Sequence, residues 1–176
     1  MCLNHCKHVL IISKLRLIIQ DMKDNFLSYR EKVSAVIFDK NDNFLIVQLM
    51  GYRPDDWNFS GGGVEEGETE EEAILRELKE ELGTDKFKIL KKSKQITKYD
   101  WPSFVIAKRL KEEGKTYRGQ KQNMFLVEFT GKKEDIKPDP KEIKQVKWVK
   151  YGELKDCLNF PNQWESAEKV IGELFN

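Results

Sequence analysis

Residues 61–84 read GGGVEEGETEEEAILRELKEELGT, a glycine run that breaks into an acidic turn and then an amphipathic segment. Thr69 followed by Glu72 is a capping box, in which each side chain satisfies the other residue's backbone N–H, so a helix is predicted to start there. Gly83 stands where a left-handed C-terminal cap would end it. Ile74, Leu78 and Leu82 recur at four-residue intervals and make an apolar stripe for a core. Glu77, Glu80 and Glu81 fall beside that stripe, within an arc of about 100° at ~3.6 residues per turn. Carboxylates so close repel one another unless something positive sits among them. Mg²⁺ and Mn²⁺ prefer oxygen ligands and bind phosphate readily, so they are the expected neutralisers. Gly61, Gly62 and Gly63 let the backbone turn sharply and approach the helix closely. By residue type alone, a glutamate-rich helix is more commonly a solvated face; the spacing decides between the two readings.

The spacing Gly62-x5-Glu68-x7-Arg76-Glu77-Leu78-x-Glu80-Glu81-x-Gly83 resembles the Nudix box, the signature of hydrolases that cut nucleoside diphosphates linked to another group. Seven fixed positions match, and Leu78 supplies the apolar one. Two departures are Thr84, where the family usually has an aliphatic residue, and Ser60, where a proline commonly precedes the glycines. The resemblance implies an α/β/α sandwich with the acidic helix packed on a mixed sheet. It also implies metal-dependent hydrolysis of a phosphoanhydride bond, with Mg²⁺ or Mn²⁺ held by Glu77, Glu80 and Glu81. Glu77, and next to it Glu80, is the expected acceptor of the attacking water's proton. Arg76 and Glu68 are expected to tie the glycine loop to the helix, with Gly62 and Gly83 structural.

At 176 residues the chain is long enough for one domain with a proper core. With 39% hydrophobic and 35% charged residues it fits a globular protein rather than a disordered one. The net charge of +1 identifies no partner, but its distribution does more. Residues 65–81 hold nine Glu against Arg76 and Lys79, whereas residues 91–121 hold ten Lys or Arg against three acids. An acidic metal centre together with a basic segment suits a polyanionic substrate, and a lysine-rich surface kept for solubility is the plainer alternative. Cys2, Cys6 and Cys157 are an odd set without a second CxxC pair, so neither a disulfide framework nor a zinc site is indicated and a reducing cytoplasm fits. Cys2, His5, Cys6 and His8 match no zinc spacing.

Residues 1–21 read as a leader, disordered or an extension without catalytic purpose, with Met22 as a natural start and residues 22–176 as the domain. The apolar run Val9 to Ile19 is interrupted by Ser13, Lys14 and Arg16 and is too short to span a membrane. An amphipathic targeting peptide is the alternative. Val33 to Phe38 and Phe44 to Leu49 are strand-like, joined by the turn signal Asn41-Asp42-Asn43. Further strands are expected at Phe87 to Leu90, Gln95 to Tyr99, Asn123 to Phe129 and Val146 to Val149. Ser103 to Ala107 is a short apolar run before a basic loop at 108–121. Helices are expected at Tyr151 to Leu158 and, from the period of Trp164, Ala167, Val170, Ile171 and Leu174, at Trp164 to Phe175. Strands, helix, more strands and a closing helix point to a mixed α+β sheet covered by helices.

A narrower resemblance is carried by Arg118-Gly119-Gln120-Lys121-Gln122-Asn123-Met124-Phe125-Leu126, by Tyr29-Arg30, by Trp57-x-Phe59, and by Tyr99-x-x-Pro102 leading to Lys108-Arg109-Leu110. These are similar to the Nudix branch of bacterial RNA pyrophosphohydrolases and diadenosine polyphosphate hydrolases. The match covers about residues 29–175. It implies Glu142, six residues before Trp148, as a fourth metal carboxylate. It also implies Arg30, Gln120 and Lys121 as phosphate contacts, and Phe160 and Tyr99 as base contacts; Phe160 serves equally well as a core residue. Where the branch often has a basic pair, this chain has Gln48 and Leu49, and Arg53 is the nearest substitute. The expected substrate is the 5′-triphosphate end of RNA, losing pyrophosphate or phosphates. The alternatives are a diadenosine polyphosphate, a small nucleotide for a sanitising hydrolase, or no turnover at all in a nucleotide-binding module. No membrane association and no obligate protein partner are expected.

Overall fold

In a computed structural model of the chain, residues 14, 16–23, 27–114, 116–160 and 163–175 are described. Tyr29–Phe38 (β1) and Asn43–Leu49 (β2) form an antiparallel hairpin in which Ile37 faces Leu45 and Phe38 faces Phe44. Asp39 builds the turn: its carboxylate accepts from the backbone N–H groups of Asn41 (2.9 Å) and Asn43 (3.0 Å) and from the Asn43 side-chain amide. Asp42 takes the left-handed conformation the turn needs, at φ 55°. Ile143–Lys150 (β5) pairs antiparallel with the other edge of β2, from Asn43 opposite Lys150 to Val47 opposite Val146, with an irregularity at Gln48/Leu49. With Phe87–Asp100 (β3) and Gly119–Phe129 (β4), the sheet runs in the order β3-β4-β1-β2-β5.

The side-chain period of two sorts the strands' apolar residues onto opposite faces. Val33, Ala35, Ile37, Leu45, Val47, Phe125 and Val127 form one core with Ala73, Ile74, Leu78 and Leu82 of the helix Glu70–Leu82 (α2). Val36, Phe44, Ile46, Met124, Leu126 and Val149 form the other, against Tyr151–Cys157 (α4) and Gln163–Phe175 (α5). Helices therefore cover both faces, the α+β arrangement expected. The helix α2 is capped as its sequence predicts, by the Thr69–Glu72 box and by Gly83 at φ 68°.

Away from the turn, β1 and β2 part, and residues 58–63 fill the gap. Val47 exchanges backbone hydrogen bonds with Asn58 (2.8 and 2.9 Å), while Ala35 N–H donates to Ser60 O and Val33 N–H to Gly62 O, both at 2.9 Å. The glycine loop is thereby held by main chain along its length. A Cβ on Gly61, whose φ is 140°, would lie 2.3 Å from Val33 O.

The chain divides into two units, residues 32–97 with 122–176 and residues 1–31 with 98–121. The larger carries both cores above. In the smaller, Ile19, Trp101 and Ile106 form a separate core flanked by Leu27, Val105 and Tyr117. Residues 16–23 form a helix (α1) in this unit, in which Ile19 is buried at 5% exposure. Residues 1–13, with Cys2, His5, Cys6 and His8, lie outside the described residues. The short run and basic loop expected from Ser103 are largely a helix, Ser103–Glu113 (α3), opened at Pro102 and closed by Gly114 at φ 69°. The two strands expected between 87 and 99 are one, an edge strand whose outward lysines leave the apolar alternation sparse. Among the described residues no helix is long and apolar enough to cross a membrane.

Gly61→Ala should lower stability by more than ~1–3 kcal/mol, since both a forbidden φ and a backbone clash must be relieved. Gly67→Ala, at φ 88° with open space around its Cβ, should cost only about 1 kcal/mol. Urea unfolding of the two variants checks the order, and equal losses would contradict the loop's main-chain confinement.

Candidate active site

Placing a helix beside the inserted loop brings Glu77, Glu80 and Glu81 of α2 to the glycines. Glu81 is 5% exposed. Its Oε2 accepts from the Ser60 hydroxyl and from the Gly61 N–H at 3.0 Å. Burial pushes the Glu81 carboxyl up to about 7, against the lowering effect of those two hydrogen bonds; Glu77 adds to the rise and Lys32 opposes it. Glu77 is raised too, chiefly by burial, with Arg76 opposing and the negative charges of Glu80 and Glu142 contributing. Gly62 lies directly against this carboxyl group: a Cβ there would be 2.2 Å from the Glu77 carboxyl carbon.

Arg76 holds the cluster together. Its guanidinium forks onto both oxygens of Glu68 (2.7 and 3.1 Å), donates to Gly63 O (2.9 Å), and reaches Glu77 Oε1 (2.9 Å) and Glu80 Oε2 (3.1 Å). Its own pKa is driven upward, mostly by Glu68. In turn Arg76, and then the Glu65 N–H at 2.6 Å, hold Glu68 below the ordinary carboxylate range. Thus the loop and the helix are joined through a planar, bidentate contact of the kind guanidinium supplies. Gly83, at the far end of α2, packs so closely that a Cβ would meet Lys137 O at 2.4 Å.

The segment before β5 is fastened to the same helix end. Lys137 N–H donates to Leu82 O (2.8 Å) and Asp139 N–H to Glu81 O (2.9 Å), satisfying carbonyls that a helix terminus leaves without partners. Glu142 follows, exposed, with its carbonyl accepting from Met50 N–H at 2.7 Å. Its charge is felt at Glu77.

Among the described residues no three carboxyl, imidazole or thiol groups already converge into a metal cage. The donor set nevertheless suits a hard divalent ion. Glu77 Oε2, Glu80 Oε1 and Glu81 Oε1 each lack a donor among the described residues, while the other oxygen of each is taken. Mutual repulsion at Glu77, from Glu80 and Glu142, is the electrostatic condition a cation would relieve.

The remaining candidates fall in both units. In the larger, Arg53 is paired with Asp56 through Nε and Nη2, both at 3.0 Å, and its side chain is 79% exposed. Gln48 is fully buried and braces the loop by donating to Arg53 O and Pro54 O. Phe160 is partly buried and meets Tyr52 edge to face, ring centroids 5.2 Å apart. In the smaller unit Tyr99 donates its hydroxyl hydrogen to Gln120 Oε1, and Lys121 pairs with Glu31 at 3.1 Å. Arg30 lies there as well, partly buried in the first residues of β1. Sequence reasoning missed the Ser60 contact to Glu81, because a partner 21 positions away is brought close only by the loop's pairing with β1.

A family model described as the NUDIX domain matches residues 28–173. A curated RNA pyrophosphohydrolase from Rickettsia conorii is 37% identical over 149 residues, covering 84% of this chain and 90% of that protein. Among solved structures, the E. coli dihydroneopterin triphosphate pyrophosphohydrolase aligns with a TM-score of 0.63 at 22% identity, over 82% of this chain and 99% of that one. A C. elegans Ap4A hydrolase aligns at 0.57 and 18% identity, over 80% and 96%. These two likenesses bear on the fold alone. The chain belongs to the Nudix family. It is a hydrolase of pyrophosphate bonds, from a family whose members generally use divalent metal ions.

Gly62→Ala should cut turnover by at least ~100-fold, because the new methyl group displaces the Glu77 carboxylate from its place. Its melting temperature should fall less than that of Gly61→Ala, whose clash is with backbone rather than with a side chain. Turnover within fivefold of the parent would show that Glu77 is not needed where it sits.

Proposed function

We propose that the chain uses Mg²⁺, with Mn²⁺ as a substitute, to remove pyrophosphate or phosphates from the 5′-triphosphate end of RNA. The observation that carries this reading is the 37% identity to an RNA pyrophosphohydrolase across 90% of that protein's length. Charge supports it. Residues 1–31 and 98–121 together hold twelve Lys or Arg against six Asp or Glu, a net +6 that suits a polyanion longer than a mononucleotide.

In this reading Glu77, Glu80, Glu81 and Glu142 would hold the metal. A bound divalent ion would supply positive charge against the phosphates and make a nearby water easier to deprotonate. Glu77 accepts a proton from the attacking water, with Glu80 the next candidate, as the water oxygen bonds to phosphorus and the bond from that phosphorus to the leaving phosphate oxygen breaks. The pyrophosphate leaves and RNA with a 5′-monophosphate remains. Arg76, Glu68, Gly62 and Gly83 keep the loop and helix in register. Arg30, Arg53, Gln120 and Lys121 bind phosphate oxygens, and Tyr99 and Phe160 contact bases. Glu31 and Asp56 are then displaced by phosphate from Lys121 and Arg53.

A diadenosine polyphosphate is the second reading, favoured by the partly buried aromatic pair of Tyr52 and Phe160, which offers a ring to an adenine. A nucleotide-binding module without turnover is disfavoured because none of the four carboxylates is missing. The cytoplasm is the compartment we assign, in keeping with Cys157 as a buried free thiol.

Mg²⁺-dependent hydrolysis of triphosphate-ended RNA, diadenosine tetraphosphate and free nucleoside triphosphates should rank the RNA highest in kcat/KM. A higher value for either of the others would move the assignment to that substrate. Glu80→Gln and Glu81→Gln should each reduce kcat by at least ~100-fold with the fold intact, as expected when a metal ligand is removed. Near-parental turnover in both would sink the metal assignment.

A further inference from the structure

We infer that Ser60 is a positioning residue for the metal site, fixing the Glu81 carboxylate through its hydroxyl. The inference rests on the reading of Glu81 as a metal ligand and adds to it a residue that the motif does not include. Ser60 is 1% exposed and cannot drift, since its carbonyl accepts from Ala35 N–H at 2.9 Å, while Gly62 on one side bonds to Val33 of β1 and Asn58 on the other to Val47 of β2. Its hydroxyl donates to Glu81 Oε2, the same oxygen that accepts from Gly61 N–H at 3.0 Å. Two donors fixed to one sheet strand therefore converge on one oxygen of a carboxylate carried by the helix. That sets the plane of the group and leaves Oε1 without a donor among the described residues.

The hydroxyl at this position matters because of what its absence would leave. A residue without a side-chain donor there would leave Glu81 Oε2 held by the Gly61 N–H alone. In this chain Ser60 adds a second, charge-assisted hydrogen bond. A freely rotating carboxylate must be ordered when it takes up an ion, whereas one already fixed by partners is presented ready for it. Ser60 thus holds Glu81 in place for the ion without touching the substrate.

The test is Mn²⁺ binding to the substrate-free protein, read by titration calorimetry and by the loss of the free-ion electron paramagnetic resonance signal. Ser60→Ala should weaken Mn²⁺ binding by about tenfold, at the lower end of what losing a ligand's hydrogen-bond partner costs. Ser60→Thr, which keeps the hydroxyl, should recover most of that loss. At saturating Mn²⁺ the KM for the triphosphate-ended RNA should be unchanged in Ser60→Ala. Affinity within twofold of the parent in Ser60→Ala, or equal losses in the alanine and threonine variants, would overturn the inference. If Ser60→Ala is too unstable to titrate, Ser60→Cys is titrated in its place with the same expected loss, the thiol being a weak donor, and the same unchanged affinity would count against the inference. Glu81→Gln serves as the reference: unchanged Mn²⁺ affinity there would remove Glu81 as a ligand and with it the reading on which Ser60 depends. A loss in Glu81→Gln with none in Ser60→Ala would remove Ser60 alone.

Discussion

The structure depends on the parting of β1 and β2 and on the main chain that fills the gap. Strands joined by a tight hairpin ordinarily stay paired. Here they pair at Ile37 and Phe38 only, and then Val33 and Ala35 on one side and Val47 on the other bond to residues 58–62. Backbone groups satisfied in this way need no side chain, so the inserted segment can be glycine where the helix comes closest. Two Cβ atoms would forbid the arrangement: one on Gly61 against Val33 O, and one on Gly62 against the Glu77 carboxylate. The glycines are a requirement of distance as well as of conformation.

Upon that frame the electrostatics become intelligible. An acidic helix face costs free energy unless its charges are answered, and the chain answers them unequally. Glu68 has the bidentate guanidinium of Arg76 and the N–H of Glu65, and its pKa falls. Glu77 and Glu81 are buried more deeply than their partners compensate, and their pKa values rise. The loop thus carries one carboxylate settled in its contacts, and the helix two that would gain from a nearby cation. The structural and metal-binding roles we propose separate along this line, within 14 residues from Glu68 to Glu81.

Local signals carried far where they were redundant. Thr69, Glu72, Gly83 and the Ile74–Leu78–Leu82 stripe all demanded the same helix, and it formed with both caps. Asn41-Asp42-Asn43 demanded a turn, and Asp39 closed it. The signal was thinner at β3, where lysines on an exposed edge strand erase the apolar alternation and one strand of 14 residues reads as two. At α3 the boundaries were legible after all, with Pro102 before and Gly114 after. The Val105-Ile106 pair and the brevity of the run hid them. For α1, no local feature says that Ile19 will be covered by Trp101 and Ile106, more than 80 positions away.

The sequence by itself determined the helix, its caps, the glycine loop and the identity of the acidic cluster, because each of these is set by spacing within a few turns of chain. It also determined the family, since the box and the later Gln120–Leu126 stretch are linear patterns. Only the tertiary structure decided which oxygens of that cluster are occupied. Ser60 reaches Glu81, and the segment leading to Glu142 is tied to the last turn of α2, through backbone pairing that no linear pattern records. Gln48 is likewise a buried brace for the loop that carries Arg53, a role that no linear pattern records. The physical reason is one of range: periodicity fixes which way a side chain points from its own element, but its partner is chosen by how the elements stack.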